Sequence, residues 1–350
     1  MNFPSELFFG CFFMPVQKGS ASAEWNMMSS ENSTKLATID IGSNSIVLLI
    51  AQCFPDGTIV FLDEHYALTK LGADVKMKRV LSDEAVQHTI AAVKELKKLA
   101  EYEEVDEIIV TTSSAVRMAE NRNRFLVKCY QEIGIFPQVL SGKEEAEYTF
   151  FGATTDLDTE KPVITIDVGG GSTEISWGTT DSMEAGYSLD IGCVSLNEEF
   201  DLGERYMLYK RLSAVHYLRK EFAKIAEPML RWKGDNKALI IATGGSITTY
   251  AAIQNKIEVY NRSRINLVKG RRKELSMVCR KLARMNIQAR RRVPGMIMDR
   301  VYDLPAGLMI TTEFLRYFHF KRFLISSYGL RAGILKHYAE KYRRKPVPLS

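Results

Sequence analysis

Short apolar stretches and longer periodic ones alternate along the chain from Lys35 onward, a pattern typical of strands alternating with helices. The clearest helix runs over residues 83–102. It begins after Ser82, a good N-terminal cap, and carries Val86, Ile90 and Val93 on one face. Strands of the first half are predicted at 36–42, 46–53, 58–66, 107–112 and 136–140.

The pattern starts again at residue 163, with strands predicted at 163–168, onward through 190, and at 238–242. Strands that alternate with helices indicate the α/β class. The restart predicts two related domains, over 35–158 and 159–350. The other predicted helices lie at 119–133, from 143, and at 192–201, 206–227, 246–254, 271–286, 304–319 and 331–341.

Residues 1–34 differ from the rest of the chain and are predicted to be a poorly ordered extension. Their apolar run, at 7–14, is not preceded by the Lys or Arg that a secretory signal requires. Ser- and Gly-rich segments at 19–22 and 29–33 resemble a linker, and Met27 or Met28 is an alternative start.

One phrase occurs twice in the chain, once in each predicted half. TIDIGSNS at 38–45 returns as TIDVGGGS at 165–172, and each copy is followed by a second apolar run. The pattern predicts strand, tight turn and strand, with Asp40 or Asp167 at the end of the first strand. A single copy is typical of ordinary Asp-Gly turns, but two matched copies favour a phosphate-binding cleft between two related domains. The predicted phosphate-binding residues are Gly42, Ser43, Asn44 and Ser45, with Gly169, Gly170, Gly171 and Ser172.

An Asp beside such a turn repels a bare phosphate, so Asp40 and Asp167 are predicted to hold a divalent cation or its waters. A third glycine turn follows the strand at 238–242 and leads into a helix N-terminus, which favours anions. An ordinary strand–helix junction explains this turn equally well when it is taken alone. Its residues are Thr243, Gly244, Gly245 and Ser246.

Three charged residues are candidates for catalysis. Arg117 follows the strand at 107–112 among hydroxyls, where it is either a surface residue or a phosphate ligand. Glu144 and Glu145 lie in the first turn of a helix, where acidic residues also occur simply because of the helix dipole. Next to phosphates, one of this pair is a candidate general base. Glu174, directly after the second glycine turn, presents the same choice between a solvated pair partner and a catalytic group.

Composition narrows the function classes. The chain has 350 residues, enough for two domains, and 46% hydrophobic with 25% charged residues is typical of a soluble globular protein. No apolar run reaches the roughly 18 residues that span a bilayer, so no membrane association is expected. The cysteines are odd in number and scattered, which argues against disulfides and zinc and favours the cytoplasm. They are Cys11, Cys53, Cys129, Cys193 and Cys279.

Positive charge is concentrated at 261–300, which contains thirteen Lys or Arg and two acidic residues, Glu274 and Asp299, for a net charge of +11. The other 310 residues therefore carry −6 of the total +5. The stretch is either a set of solvated helix faces or a track for a polyanion. No nucleic-acid module accompanies it, so a small or linear phosphate compound is preferred as partner. The candidate track residues are Arg271, Arg272, Lys273, Arg290, Arg291 and Arg292.

Nine strings in order, ATIDIGSNS, TTSSAVR, SGKEEAE, TIDVGGGSTE, GCVSL, ATGGSITT, PGMIMDR, LPAG and SSYGLRAGIL, resemble the exopolyphosphatase/guanosine pentaphosphate phosphatase (Ppx/GppA) family over residues 36–340. The resemblance implies two ribonuclease H-like domains of the sugar kinase–actin superfamily flanking a phosphate-binding cleft. It also implies Mg²⁺-dependent release of terminal phosphate from inorganic polyphosphate, guanosine pentaphosphate or both.

The resemblance also assigns roles to residues. It implies that Glu145 is the catalytic carboxylate, that Asp167 and Glu174 are the second essential carboxylates, and that Arg117 contacts phosphate. Asp167, with Asp40 and Glu174, would hold the metal. Two departures are expected to matter: the segment 299–305 differs from the family's usual arginine–alanine–aspartate run, and a chain ending near 350 leaves no room for a C-terminal HD-type domain. High processivity on long polymers is therefore not expected.

Two other functions remain open from sequence. A kinase or ATPase of the same superfamily would need a nucleotide pocket and would turn over ATP. A non-catalytic sensor of polyphosphate or alarmone would bind without needing Glu145. The sequence leaves the oligomeric state open, and a homodimer is compatible with it.

Overall fold

The computed structural model describes residues 33–73, 75–203, 207–259 and 261–343. The predicted N-terminal extension lies almost wholly outside these residues. The described chain forms two mixed sheets, each flanked by helices. No helix in these ranges is both long enough and apolar enough to span a membrane.

The first sheet has five strands in the order β3-β2-β1-β4-β5. β1 pairs antiparallel with β2 and parallel with β4, and β2 pairs antiparallel with β3. The fifth strand is shorter than predicted, because only two of its residues pair with β4. The strands are β1 (Thr34–Ile41), β2 (Ser45–Cys53), β3 (Ile59–Leu68), β4 (Glu107–Thr112) and β5 (Gln138–Val139).

The second sheet has six strands in the order β10-β11-β9-β6-β7-β8. β6 pairs antiparallel with β7 and parallel with β9, as β1 pairs with β2 and β4. The repeated phrase therefore occupies the same place in two equivalent sheets. Its strands are β6 (Val163–Val168), β7 (Thr173–Gly178), β8 (Met183–Leu189), β9 (Leu239–Thr243), β10 (Val268–Arg271) and β11 (Arg322–Ile325). The last two were not predicted.

Most predicted helices are present, with shifted ends. The helix predicted at 119–133 begins later, at Arg122, because Ala119 is extended and the Asn121 side chain bonds the backbone N–H and C=O of Leu81. A short helix that was not predicted precedes it, at Ser114–Met118. A one-turn 3₁₀ helix lies at Met298–Arg300. The α-helices are α1 (Val75–Lys78), α2 (Asp83–Tyr102), α3 (Ser114–Met118), α4 (Arg122–Ile133), α5 (Gly142–Ala153), α6 (Cys193–Phe200), α7 (Leu208–Lys233), α8 (Gly245–Gln254), α9 (Arg262–Ile265), α10 (Arg272–Arg284), α11 (Ile287–Arg291), α12 (Leu304–Tyr317) and α13 (Leu330–Arg343).

Each sheet has its own core, and a further core joins the end of the chain to its beginning. Leu330, Ile334 and Leu335 of α13 pack with residues of β1, β2 and β4. The helix thereby returns to the first sheet, where it also crosses α5. The crossing is close: a Cβ at Gly152 would lie 2.0 Å from Gly329 O, and one at Gly333 would lie 1.7 Å from Tyr148 O. The predicted boundaries at 35–158 and 159–350 stay a prediction.

Candidate active site

The repeated phrase forms two hairpin turns of the same geometry. Gly42 N donates to Ser45 O, and Gly169 N donates to Ser172 O, both at 3.0 Å. In the second hairpin Asp167 on β6 lies directly opposite Glu174 on β7. The sequence therefore places two carboxylates side by side at the base of the second turn.

The glycines of these turns are needed for close approach between chain segments. None of Gly42, Gly169, Gly170 and Gly171 has a positive φ. A Cβ at Gly170 would lie 3.2 Å from the Cβ of Asn44, and one at Gly171 would lie 2.8 Å from Ser43 Oγ. The two turns therefore face each other in contact across the cleft.

The third turn lies beside the second and contacts Asp167. Gly244 has φ +94° and ψ 165°, a conformation open essentially to glycine alone. A Cβ there would lie 2.3 Å from Asp167 Oδ1. Thr243 Oγ1 donates to Tyr328 O at 2.8 Å, which fixes the turn against the start of α13. Ser246 was predicted to bind phosphate, but its buried hydroxyl packs against Gly307 of α12 and is absent from the cleft wall.

Together the three turns enclose a cleft of about 470 Å³. Except for Ser246 and Arg117, every residue predicted for the site lines this cleft. The predicted residues that line it are Asp40, Gly42, Ser43, Asn44, Ser45, Glu145, Asp167, Gly169, Gly170, Gly171, Ser172, Glu174, Thr243, Gly244 and Gly245.

Glu145 lies at the N-terminus of α5, whose capping box is formed by Ser141 and Glu144. Arg117 Nη1 donates to Glu145 Oε2 at 2.8 Å and to Leu140 O at 2.9 Å. Burial raises the pKa of Glu145, while Arg117 counteracts that shift. Arg117 is outside the cleft wall, and its guanidinium orients and charge-balances Glu145. Its predicted contact with phosphate stays a prediction.

The other three carboxylates also have raised pKa values. Burial raises the pKa of Asp40 to about 6 and that of Asp167 to about 7, while the Arg331 charge opposes both shifts. The pKa of Glu174 is raised well above its ordinary value, by burial and then by the charges of Glu145 and Asp167. These groups concentrate negative charge that a cation would relieve.

The donor set suits Mg²⁺, which takes oxygen ligands and is usually bound by one or two carboxylates together with phosphate and water. Asp40, Asp167 and Glu174 offer such oxygens beside the glycine turns. Among the described residues, no three His, Cys, Asp or Glu side chains form a complete metal-binding group.

Two arginines in the cleft wall were not among the predicted site residues. Arg300 lies over the third turn, where a Cβ at Gly245 would be 2.3 Å from its Cζ. Arg331 lies near both aspartates and contacts Glu64, with Nη2 at 3.4 Å from Oε1. The only sequence signals were the arginines in the PGMIMDR and SSYGLRAGIL strings. Nothing local to either string shows that it reaches the cleft.

Among the Lys and Arg residues of the basic stretch, Arg300 lines the cleft, together with the neighbouring residues 295–299. Arg290 was predicted to belong to a polyanion track, but it is fully buried and donates to Leu282 O, Gly203 O and Val301 O. That prediction is wrong for Arg290, whose role is to join three backbone segments. Arg271, Lys273, Arg291 and Arg292 are exposed, and a track along them stays a prediction.

Removing the charge of Asp167 is expected to stabilise the metal-free protein at high pH. Burial raises the pKa of Asp167 from 3.8 to about 7, so the folded state keeps a proton that the unfolded chain releases. Stability is therefore lost as the pH rises from about 4 to about 7. In a chelator at pH 8, Asp167→Asn should be more stable by on the order of 4 kcal/mol, and the stability difference should narrow toward pH 5.

The measurement is thermal and urea unfolding of both proteins at pH 5, 6, 7 and 8. Asp235→Asn, at an exposed aspartate outside the cleft wall, is the matched control for removing a carboxylate charge. A stability difference that is equal at pH 5 and pH 8 would contradict the assigned titration.

Comparison with known proteins identifies relatives over almost the whole described chain. A model of the Ppx/GppA phosphatase family matches residues 22–342. The bifunctional 3-dehydroquinate synthase/phosphatase of Fusobacterium nucleatum is 31% identical over 312 residues, covering 85% of this chain and 45% of that protein. Exopolyphosphatase 2 of Mycobacterium tuberculosis is 29% identical over 293 residues, covering 81% of this chain and 90% of the relative. The chain thus spans less than half of the bifunctional relative.

Solved structures agree. A crystal structure of the Aquifex aeolicus member of the Ppx/GppA protein family covers 89% of this chain and 100% of its own, with 28% identity and a TM-score of 0.75. An exopolyphosphatase of Cytophaga hutchinsonii, at 22% identity and a TM-score of 0.81, shares the fold. The predicted fold class, two α/β domains of the sugar kinase–actin superfamily flanking a cleft, is confirmed.

Proposed function

The chain belongs to the Ppx/GppA phosphatase family, and from this we propose that it hydrolyses terminal phosphoanhydride bonds of inorganic polyphosphate, guanosine pentaphosphate or both. The name of the mycobacterial relative supports polyphosphate as a substrate. The main structural support is the position of Glu145. Its buried carboxylate is held by Arg117 and lies in the same cleft wall as the two facing glycine turns.

In the proposed reaction the glycine turns bind the terminal phosphoryl group and position it. Glu145 accepts the proton of the attacking water, since it lies in the cleft wall with its orientation fixed by Arg117. Its raised pKa makes it a stronger base than an exposed glutamate. Arg300 and Arg331, the arginines of the cleft wall, balance charge on the transferred group.

We propose Mg²⁺ as the cofactor, held by Asp167 with Asp40 and Glu174. When bound it would neutralise charge on the phosphate oxygens. The mutual repulsion of the cleft carboxylates supports this assignment. A cytoplasmic location is part of the same proposal, supported by four described cysteines that are buried and free: Cys53, Cys129, Cys193 and Cys279.

A nucleotide substrate has one structural observation in its favour. The cleft wall includes a group of apolar residues that follow the third turn in sequence: Ala252, Ile257, Met296 and Ile297. Apolar walls with a few polar groups are typical of sites for planar organic ligands. This part of the cleft suits the base of guanosine pentaphosphate, and it keeps an ATPase or kinase as the second candidate function.

The test is phosphate release measured side by side on tripolyphosphate, long polyphosphate, guanosine pentaphosphate and ATP, with Mg²⁺ or with chelator. We expect turnover of at least one of the first three, loss of turnover in chelator, and slower turnover of ATP. Glu145→Gln purified in parallel controls for contaminating phosphatases. Turnover of ATP alone would assign the ATPase or kinase function, and tight binding without any turnover would assign the sensor.

A further inference from the structure

Two short segments support the phosphate-binding turns from behind. In the first half, Gly72 N donates to Ser43 O at 2.7 Å, while Thr69 N and Lys70 N donate to Asn44 O at 3.1 and 2.9 Å. A Cβ at Gly72 would lie 2.6 Å from the Cβ of Ser43. The segment 69–72 is therefore packed directly on the first turn, and it leads into α1.

In the second half, the N-terminus of α6 has the same relation to the second turn. Cys193 N donates to Gly169 O at 2.9 Å, and Val194 N donates to Gly170 O at 2.9 Å. A Cβ at Gly192 would lie 2.2 Å from Gly170 O, so the helix and the turn are in backbone contact. A displacement of α6 would therefore displace the second turn.

The two supports are joined to each other. Lys76 of α1 donates to Glu199 Oε2 of α6 at 2.7 Å and to Tyr217 OH of α7 at 3.1 Å. Its ammonium also lies 5.1 Å from the centre of the Tyr217 ring. The Phe200 ring packs on the same tyrosine at 5.6 Å, which anchors the end of α6 on α7. Lys76 thus bridges the two halves of the molecule.

The contacts connect the two turns in two ways. The turns touch directly at Gly170 and Asn44, and they are also linked through their supports, since segment 69–72 leads into α1 and Lys76 of α1 pairs with Glu199 of α6. We propose that Lys76 and Glu199 are positioning residues that set the separation of the two phosphate-binding turns. Neither is in the cleft wall. They act through the backbone supports and hold the two turns at the separation seen in the structure before substrate arrives. This arrangement is called the closed form.

The expected consequence is a selective effect on KM. When only part of the population is closed, apparent affinity falls by that fraction, and saturating substrate restores closure. Lys76 and Glu199 are 25% and 38% exposed, so their ion pair is of modest strength, reinforced by the Tyr217 contacts. For Lys76→Met and Glu199→Gln we expect KM for tripolyphosphate to rise about three- to tenfold, with kcat within about twofold.

Reversing the charges of Lys76 and Glu199 distinguishes a positioning role from a general loss of folded structure. Lys76→Glu combined with Glu199→Lys should recover most of the lost affinity, and Lys76→Arg should stay near wild type. The matched control is Lys94→Met, which breaks the 2.8 Å pair with Glu132 between α2 and α4 inside the first half. It should leave KM unchanged. Equal losses in the control, or no recovery in the reversed pair, would overturn the proposal.

The KM experiments rest on the proposed function, since they require turnover. A distance measurement tests the Lys76–Glu199 bridge without requiring turnover. Spin labels at Asn123→Cys on α4 and Lys220→Cys on α7, in a Cys11→Ser background, report the separation of the halves; both label sites are exposed. Lys76→Met should add a longer-distance population that pyrophosphate with Mg²⁺ shortens. If the distance distribution of Lys76→Met equals that of wild type, the positioning role is overturned, whether or not the protein is active. If the wild type is inactive but Lys76→Met shows the added population, only the proposed function is overturned.

Discussion

Glu145→Gln is expected to lower kcat by ~10²–10⁴ while substrate binding stays within a few-fold of wild type. Glutamine keeps the size of the side chain, and its amide oxygen can still accept from Arg117 Nη1, now 2.8 Å from the carboxylate. It cannot take a proton from water. Single-turnover phosphate release, with binding of pyrophosphate measured separately, distinguishes loss of chemistry from loss of affinity.

Glu144 provides the control at the next position. Its Oε2 accepts from Ser141 N in the capping box, and it is outside the cleft wall. Glu144→Gln keeps the oxygen that caps the helix, so we expect nearly wild-type kinetics. If Glu145→Gln kept more than about a tenth of the activity, the base would lie elsewhere, with Glu174 the first alternative.

The sequence predicted the parts of the site that local chain geometry determines. Each hairpin is formed by neighbouring residues, so the repeated phrase alone indicated the turns and the aspartates that precede them. The position of Glu174 opposite Asp167 follows from the register of a tight hairpin. The helix start predicted at residue 143 likewise placed Glu145 in the first turn, and in the structure α5 begins at Gly142 after a Ser141 cap.

Contacts between distant segments were the parts that sequence could not predict. β10 and β11 have four residues each, too few for a periodic signal, and they are defined by pairing with each other and by the pairing of β11 with β9. Arg331 reaches the cleft only because α13 returns to the first sheet. Ser246 and Arg290 carried suitable chemistry, but their orientation is set by Gly307 and by carbonyls far along the chain.

The glycine at 244 shows how one backbone conformation connects fold and chemistry. Its φ of +94° with ψ 165° belongs to a region that is strained for any residue with a Cβ, at a cost of about 1–3 kcal/mol. Gly134 also has a positive φ, +71°, but a Cβ there would meet nothing within 4 Å. A side chain at Gly134 therefore causes backbone strain alone, whereas one at Gly244 also displaces Asp167.

Gly244→Ala is accordingly expected to lower both stability and activity, with activity the larger loss. The new Cβ would lie 2.3 Å from Asp167 Oδ1 and 2.9 Å from Val168 O, so the carboxylate must move. Displacing a group that positions reactants by about 1 Å typically costs on the order of 10²-fold in rate. Gly134→Ala should lose stability of about 1–2 kcal/mol with unchanged kcat/KM. If both variants lost activity only in proportion to their folded fraction, Asp167 would have no part in the reaction, and the cleft carboxylates would serve binding alone.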